Sequence, residues 1–144
     1  MSQYRFELSA ICRTFPSQLN NIPEEVFNFK AGNRWSKKEI LGHLVDSAMV
    51  NLQRFIRGQI ENKPVIGYDQ DSWVAVQHYH SYPSEDLIRL WETLNNHLIQ
   101  VVTCIPAKNL ECVCLMRDGR ELSLAFIIQD YVDHLQHHMA QILS

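Results

Sequence analysis

The chain has 144 residues, 46% of them apolar and 20% charged, with a net charge of −3 when its seven histidines are neutral. That suits one ordinary globular domain over 1–144, large enough to fold without a disulfide or a structural metal. There is no basic patch for nucleic acid, no eighteen-residue uncharged apolar run for a membrane, and no signal-peptide pattern in the opening MSQYRFELSA. Cys12, Cys104, Cys112 and Cys114 therefore read as reduced thiols, and the protein as cytoplasmic.

Four stretches carry helical periodicity. The first runs from about Gln3 to Leu19, with Leu8, Ile11, Cys12, Phe15 and Leu19 on one face; Pro16 should kink or split it. The second starts at Ser36-Lys37-Lys38-Glu39, which reads as a capping box. Its buried stripe is Ile40, Leu44, Ala48, Leu52 and Phe55, and Gly58 or Lys63-Pro64 should end it. A link over 62–83 follows, long enough for a crossover, so the second and third helices need not be antiparallel neighbours. Within it Asp71 reads as the cap of a short helix through Val76. The third helix begins after Pro83 with Ser84 as N-cap, buries Leu87, Trp91, Leu94, Leu98, Val101 and Ile105, and closes at Pro106. CVCLMRDGREL then reads as a small hairpin with Asp118-Gly119 as a two-residue turn, both residues at positive φ. The fourth helix spans about Ser123 to Leu143. The expected fold is all-α: a four-helix bundle with a long crossover between helices two and three and a small β-hairpin before helix four.

The fourth helix carries the chemistry. His134 and His138 are four apart, a helical offset of roughly 40° and 6 Å, so both imidazoles leave one face and can serve one metal. They continue the apolar stripe of Tyr131 and Leu135, where unpaired polar rings would be costly. No Glu follows His134, so the HExxH protease motif is absent. His137 lies off that face, at the flank or rim of a site. His43, in the second helix, flanks the stripe beside Ile40 and Leu44, a place where a lone histidine is more often a satisfied boundary residue than a ligand. Gly42 beside it points to close packing or to space for a ligand. Asp46 and Asp130 each lie about one turn from one of these histidines and could orient an imidazole; a solvated helix surface accounts for them equally well. Gln141 could hydrogen-bond near the site or be plain surface. His78 and His80 in the link read as surface, though a loop could fold them over a cavity mouth, and Cys112-x-Cys114 lacks further ligands for zinc. There is no phosphate-binding glycine loop, no nucleophile elbow and no pair of Glu-x-x-His motifs.

WSKKEILGHLVDSA at 35–48, YDQDSW at 68–73, the Asp-Gly hairpin and HLQHHMAQI at 134–142 together resemble the DinB-like metalloproteins over nearly the whole chain. The resemblance implies one divalent metal held by one histidine of the second helix and two of the fourth: His43, His134 and His138. A three-histidine set suits zinc, and also nickel or iron, and leaves a position open as catalytic sites do. A metal there would lower the pKa of a water or hold a thiolate. The resemblance thus implies a metal-dependent enzyme on a small molecule, either a thiol S-transferase with a low-molecular-weight thiol as cosubstrate or a metal-assisted hydrolase, with a slight lean to thiol chemistry. Against it stand a non-catalytic metal-binding or interaction module and a bundle with ordinary core histidines. Homodimers are common among proteins this sequence resembles; neither nucleic acid nor membrane is an expected partner.

Overall fold

The capping box sets the central helix of the computed structural model, which describes residues 3–144. Ser36 Oγ accepts from the Glu39 amide at 3.1 Å, and Glu39 Oε1 accepts from the Ser36 amide at 2.9 Å, so two orphan donors are satisfied at once. The helix that follows, α3, spans Lys37–Ile60, passing Gly58. Every residue from Leu41 to Ala48 is buried. Over those two turns the expected stripe is therefore one side of a helix enclosed all round, whereas further along Gln53, Ile56 and Ile60 are exposed.

Three further long helices enclose it: α1 (Gln3–Asn20), α5 (Ser84–Thr103) and α6 (Leu124–Leu143). α1 and α3 lie across the diagonal, and each packs on both α5 and α6. The core between them is apolar, with Phe15 of α1 edge-on to Trp91 of α5 at 5.1 Å between ring centroids. Pro16 does not split α1, because Phe15 and Leu19 on either side of it are fully buried and hold the last turns in place.

α3 and α5 run parallel. Near their starts Lys38 Nζ donates to the Tyr82 carbonyl at 2.8 Å, and near their ends Asn109 donates to Gln59 at 3.0 Å. The link between them is thus a true crossover. It contains α4 (Gln70–Gln77) and a 3-10 turn at Tyr79–Ser81. Asp69, not Asp71, stands at the α4 N-cap, where its carboxylate accepts from Ser72 Oγ at 2.8 Å rather than from an amide. Pro83, not Ser84, precedes α5, and Ser84 instead donates its hydroxyl to Glu24 Oε1 at 2.8 Å. Glu24 belongs to an unexpected one-turn helix, α2 (Glu24–Phe27), which buries Phe27. Lys38, 3% exposed, reaches Glu24 Oε1 at 3.2 Å and lies over the Phe27 ring, so one buried ammonium ties α2, α3 and the start of α5 together.

Strands β1 (Val113–Leu115) and β2 (Glu121–Ser123) pair antiparallel, with Leu115 opposite Glu121. The turn is longer than two residues. The Gly119 amide bonds the Met116 carbonyl at 2.9 Å and the Met116 amide bonds the Arg120 carbonyl at 2.8 Å. Only Gly119 takes positive φ, at +91°, the pattern of a three-residue loop in which one left-handed residue suffices. Ser123 then caps α6, accepting from the Phe126 amide at 3.2 Å.

Candidate metal centre

The start of α3 lies beside the end of α6, where Lys37 Nζ donates to the Ile142 carbonyl at 2.5 Å and to the Ser144 main-chain oxygen at 2.8 Å. Antiparallel packing from that point brings His43 opposite His134 and His138. One ring nitrogen from each of the three lies within 4.8 Å of the others. His43 Nε2 and His134 Nε2 are 3.2 Å apart. His43 is buried and the other two are half-buried.

These rings are held neutral. Burial, reinforced by the two neighbouring imidazoles, pushes His43 down to about 3, and burial beside His138 and His137 pushes His134 down to about 4. His138 is lowered by burial too, while its bond to Gln141 pulls the other way. That bond, 2.7 Å from His138 Nδ1 to Gln141 Oε1, requires the proton on Nδ1 because the oxygen can only accept. Nε2 of His138 then keeps its lone pair toward the other rings.

The donor set fits a divalent cation. Nitrogens bound to a tetrahedral zinc stand about 3.3 Å apart, close to the 3.2 Å between His43 and His134. That spacing also suits an N–H···N bond, but one proton bridges only one edge of the triangle. No fourth ligand joins the three among the described residues.

A second observation concerns the residues one turn along α3 from His43. Asp46, one turn along α3 and fully buried, accepts at Oδ1 from Tyr79 Oη at 2.6 Å and from Gln77 Nε2 at 2.8 Å. Burial pushes its carboxyl up, and these two bonds draw it back down. Its Oδ2 is buried without a partner, as is Nδ1 of His43. The Tyr79 ring fits only because residue 42 is glycine: a Cβ there would stand 2.2 Å from it. Trp35 and Tyr68 complete the walls around His43, at 5.1 and 6.4 Å between ring centroids.

The other candidates fall elsewhere. Asp130 is exposed and bonds no histidine. His137 is exposed, with its ring 5.1 Å from that of His138, at the rim. His78 and His80 are exposed in the link. Neither Cys112 nor Cys114 enters a metal-capable group among the described residues. Sequence reasoning missed Tyr79 and Gln77, whose partner Asp46 is more than thirty residues away and at no helical spacing from them.

A helical bundle that presents three neutral imidazoles and, among the described residues, no fourth protein ligand has the donor set of a metalloprotein with an open coordination position. The chain belongs to the DinB superfamily, whose sequence model matches residues 8–142. A relative in Oceanobacillus iheyensis, named "putative metal-dependent hydrolase", is 23% identical over 127 residues, 86% of this chain and 72% of that one. The structure of YfiT from Bacillus subtilis, described as "a probable metal-dependent hydrolase with an unusual four-helix bundle topology", superposes with a TM-score of 0.84 at 19% identity, over 99% of this chain and 86% of that one. The mycothiol-dependent maleylpyruvate isomerase superposes with a TM-score of 0.77 at 10% identity, over 97% of this chain and 59% of that one. Both structures share this fold.

Proposed function

We propose that the protein is a mononuclear metal-dependent hydrolase of a small molecule, with His43, His134 and His138 as the metal ligands. The observation that carries this reading is the triangle of ring nitrogens within 4.8 Å, unaccompanied by a fourth ligand among the described residues. A divalent cation bound there, zinc by preference for three imidazoles, would act as a Lewis acid and lower the pKa of a water in the open position. The chain's own residues prepare the site. Gln141 keeps the His138 proton on Nδ1. Asp46, held by Tyr79 and Gln77 one turn along α3, would take the Nδ1 proton of His43 in a hydrogen bond and so fix the ring's tautomer; the support is that Oδ2 of Asp46 and Nδ1 of His43 are both buried without a partner. Trp35 and Tyr68 shield the His43 side from bulk water. We place the activity in the cytoplasm, where four free thiols stay reduced.

A second reading, transfer or conjugation of a low-molecular-weight thiol at the same metal, is supported by the fold shared with a mycothiol-dependent isomerase. The test has two stages. Elemental analysis of protein purified without a nickel column should give about one metal per chain, lost in His134→Ala. Metal-loaded protein should then cleave members of an ester and amide panel, with turnover abolished in His43→Ala. Consumption of thiol with an electrophile, but no hydrolysis, would replace the first reading by the second. Metal without either turnover would leave a metal-binding module, and no metal after reconstitution with zinc, nickel or iron(II) would overturn both enzymatic readings.

A further inference from the structure

A cleft of about 790 Å³ opens beside His138 and Gln141, a size that takes a small organic ligand. Its walls come from α2, from the segment that follows it, and from the start of α3. Val26, Phe29, Trp35 and Ile40 make it apolar on one side. Val26 is 42% and Phe29 69% exposed, yet this wall is anchored from behind by buried Phe27 and Lys38. Apolar side chains fixed toward a cleft call for an apolar body to cover them.

Two cations and one carboxylate, Arg34, Lys37 and Glu25, also line the cleft, which leaves it net positive. Lys37 is engaged with main-chain oxygens at the end of α6. The Arg34 guanidinium makes no ion pair and no side-chain hydrogen bond among the described residues. A free guanidinium offers a fork of donors matched to a carboxylate.

We propose that this cleft binds the non-reacting part of the substrate, and that the substrate is an amphipathic carboxylic acid: an apolar body against Val26, Phe29 and Trp35, its carboxylate on Arg34, and its reacting group at the histidine end beside His138. The proposal rests on the hydrolase reading for what happens at the metal, but the recognition it describes belongs to the cleft.

The test is calorimetric titration of the full chain as purified, with metal content measured on the same sample, using 4-phenylbutyrate and its uncharged analogue 4-phenylbutan-1-ol. Both should bind saturably, the acid about tenfold more tightly, the worth of one charge-assisted contact. Arg34→Gln should bring the acid to the affinity of the alcohol. Phe29→Ala should weaken both about fivefold or more. Both side chains are exposed, so neither variant threatens the fold. The titration is repeated after chelation, where a carboxylate can no longer bind a metal. Acid preference that persists without metal and vanishes in Arg34→Gln supports the cleft even if the metal reading fails. No saturable binding, equal affinity for acid and alcohol in the wild type, or an acid preference that survives Arg34→Gln would overturn it, whatever the metal content.

Discussion

Two buried tyrosines donate their hydroxyls into networks of opposite kinds. Tyr131 on α6 donates to Asn95 Oδ1 at 2.5 Å, and Asn95 in turn donates to the Trp91 carbonyl at 2.9 Å. Neither Tyr131 nor Asn95 has a buried side-chain polar atom left unpaired, and burial pushes the Tyr131 phenol far up, so it stays neutral. Tyr79 in the crossover donates to Asp46, but Oδ2 of Asp46 and Nδ1 of His43 remain without partners. A closed network specifies how α5 and α6 pack. An open one carries a desolvation cost that only a further partner relieves, and it leaves a nitrogen of His43 itself unpaired. The difference between the two separates what holds the bundle from what serves the site.

That contrast can be broken at several points. The largest effect is expected from His43→Ala or His134→Ala: metal content should fall from about one per chain to none, and chelation, which should lower the melting temperature of the wild type, should leave the variants unmoved. Next come Asp46→Asn and Tyr79→Phe, which should weaken metal binding about 10- to 100-fold in a competition titration. Tyr131→Phe should leave that affinity unchanged while costing about 1–3 kcal/mol in urea unfolding, because Asn95 Oδ1 loses its donor. Equal losses of affinity in the Tyr79 and Tyr131 variants would erase the distinction. Gly42→Ala should destabilise by about 1–3 kcal/mol, since the Tyr79 ring must shift to admit the methyl group, and should weaken metal binding alongside.

Acid gives the mildest test. His43 and His134 resist protonation in the folded chain, at about 3 and about 4 against 6.5 for a free histidine. As pH falls below 6.5 the unfolded chain takes up protons that the native state refuses, so the stability of the metal-free protein should decline from pH 6.5 towards 4. The same denaturant titrations on a His43→Leu, His134→Leu double variant should show a shallower decline.

The long helices and the histidine pair of α6 were legible because their signals are local or periodic: a capping box within four residues, an i,i+4 pair on one helix, a stripe recurring every seven residues along α5; His43 came into the set only through the family resemblance. What escaped depends on partners far along the chain. α2 is four residues long and has no period to read, and it is held by Lys38, fourteen residues beyond Glu24. Lys38 itself looks like solvated surface until Glu24 and the Tyr82 carbonyl are placed around it. The cleft was hidden with α2, since two of its apolar residues, Val26 and Phe29, stand in or just after that turn. Ser84 misled for a related reason: its hydroxyl has a better offer from a carboxylate sixty residues away than from its own helix. Asp118-Gly119 marked the right turn, but its length was set by the strand register that Leu115 and Glu121 adopt.

The clasp of Lys37 on the Ile142 carbonyl has a bearing on how steeply a cation would be captured. Two helices packed side by side keep one soft motion, axial sliding, and a slip of one residue displaces a side chain by about 1.5 Å, enough to spoil a three-pointed grip. The ammonium bridges that joint from a residue about 1.7 turns before His43. With the slide arrested, the imidazole of α3 is presented to the pair on α6 at a high effective concentration, and the entropy of assembling three ligands is spent when the chain folds rather than when the ion arrives.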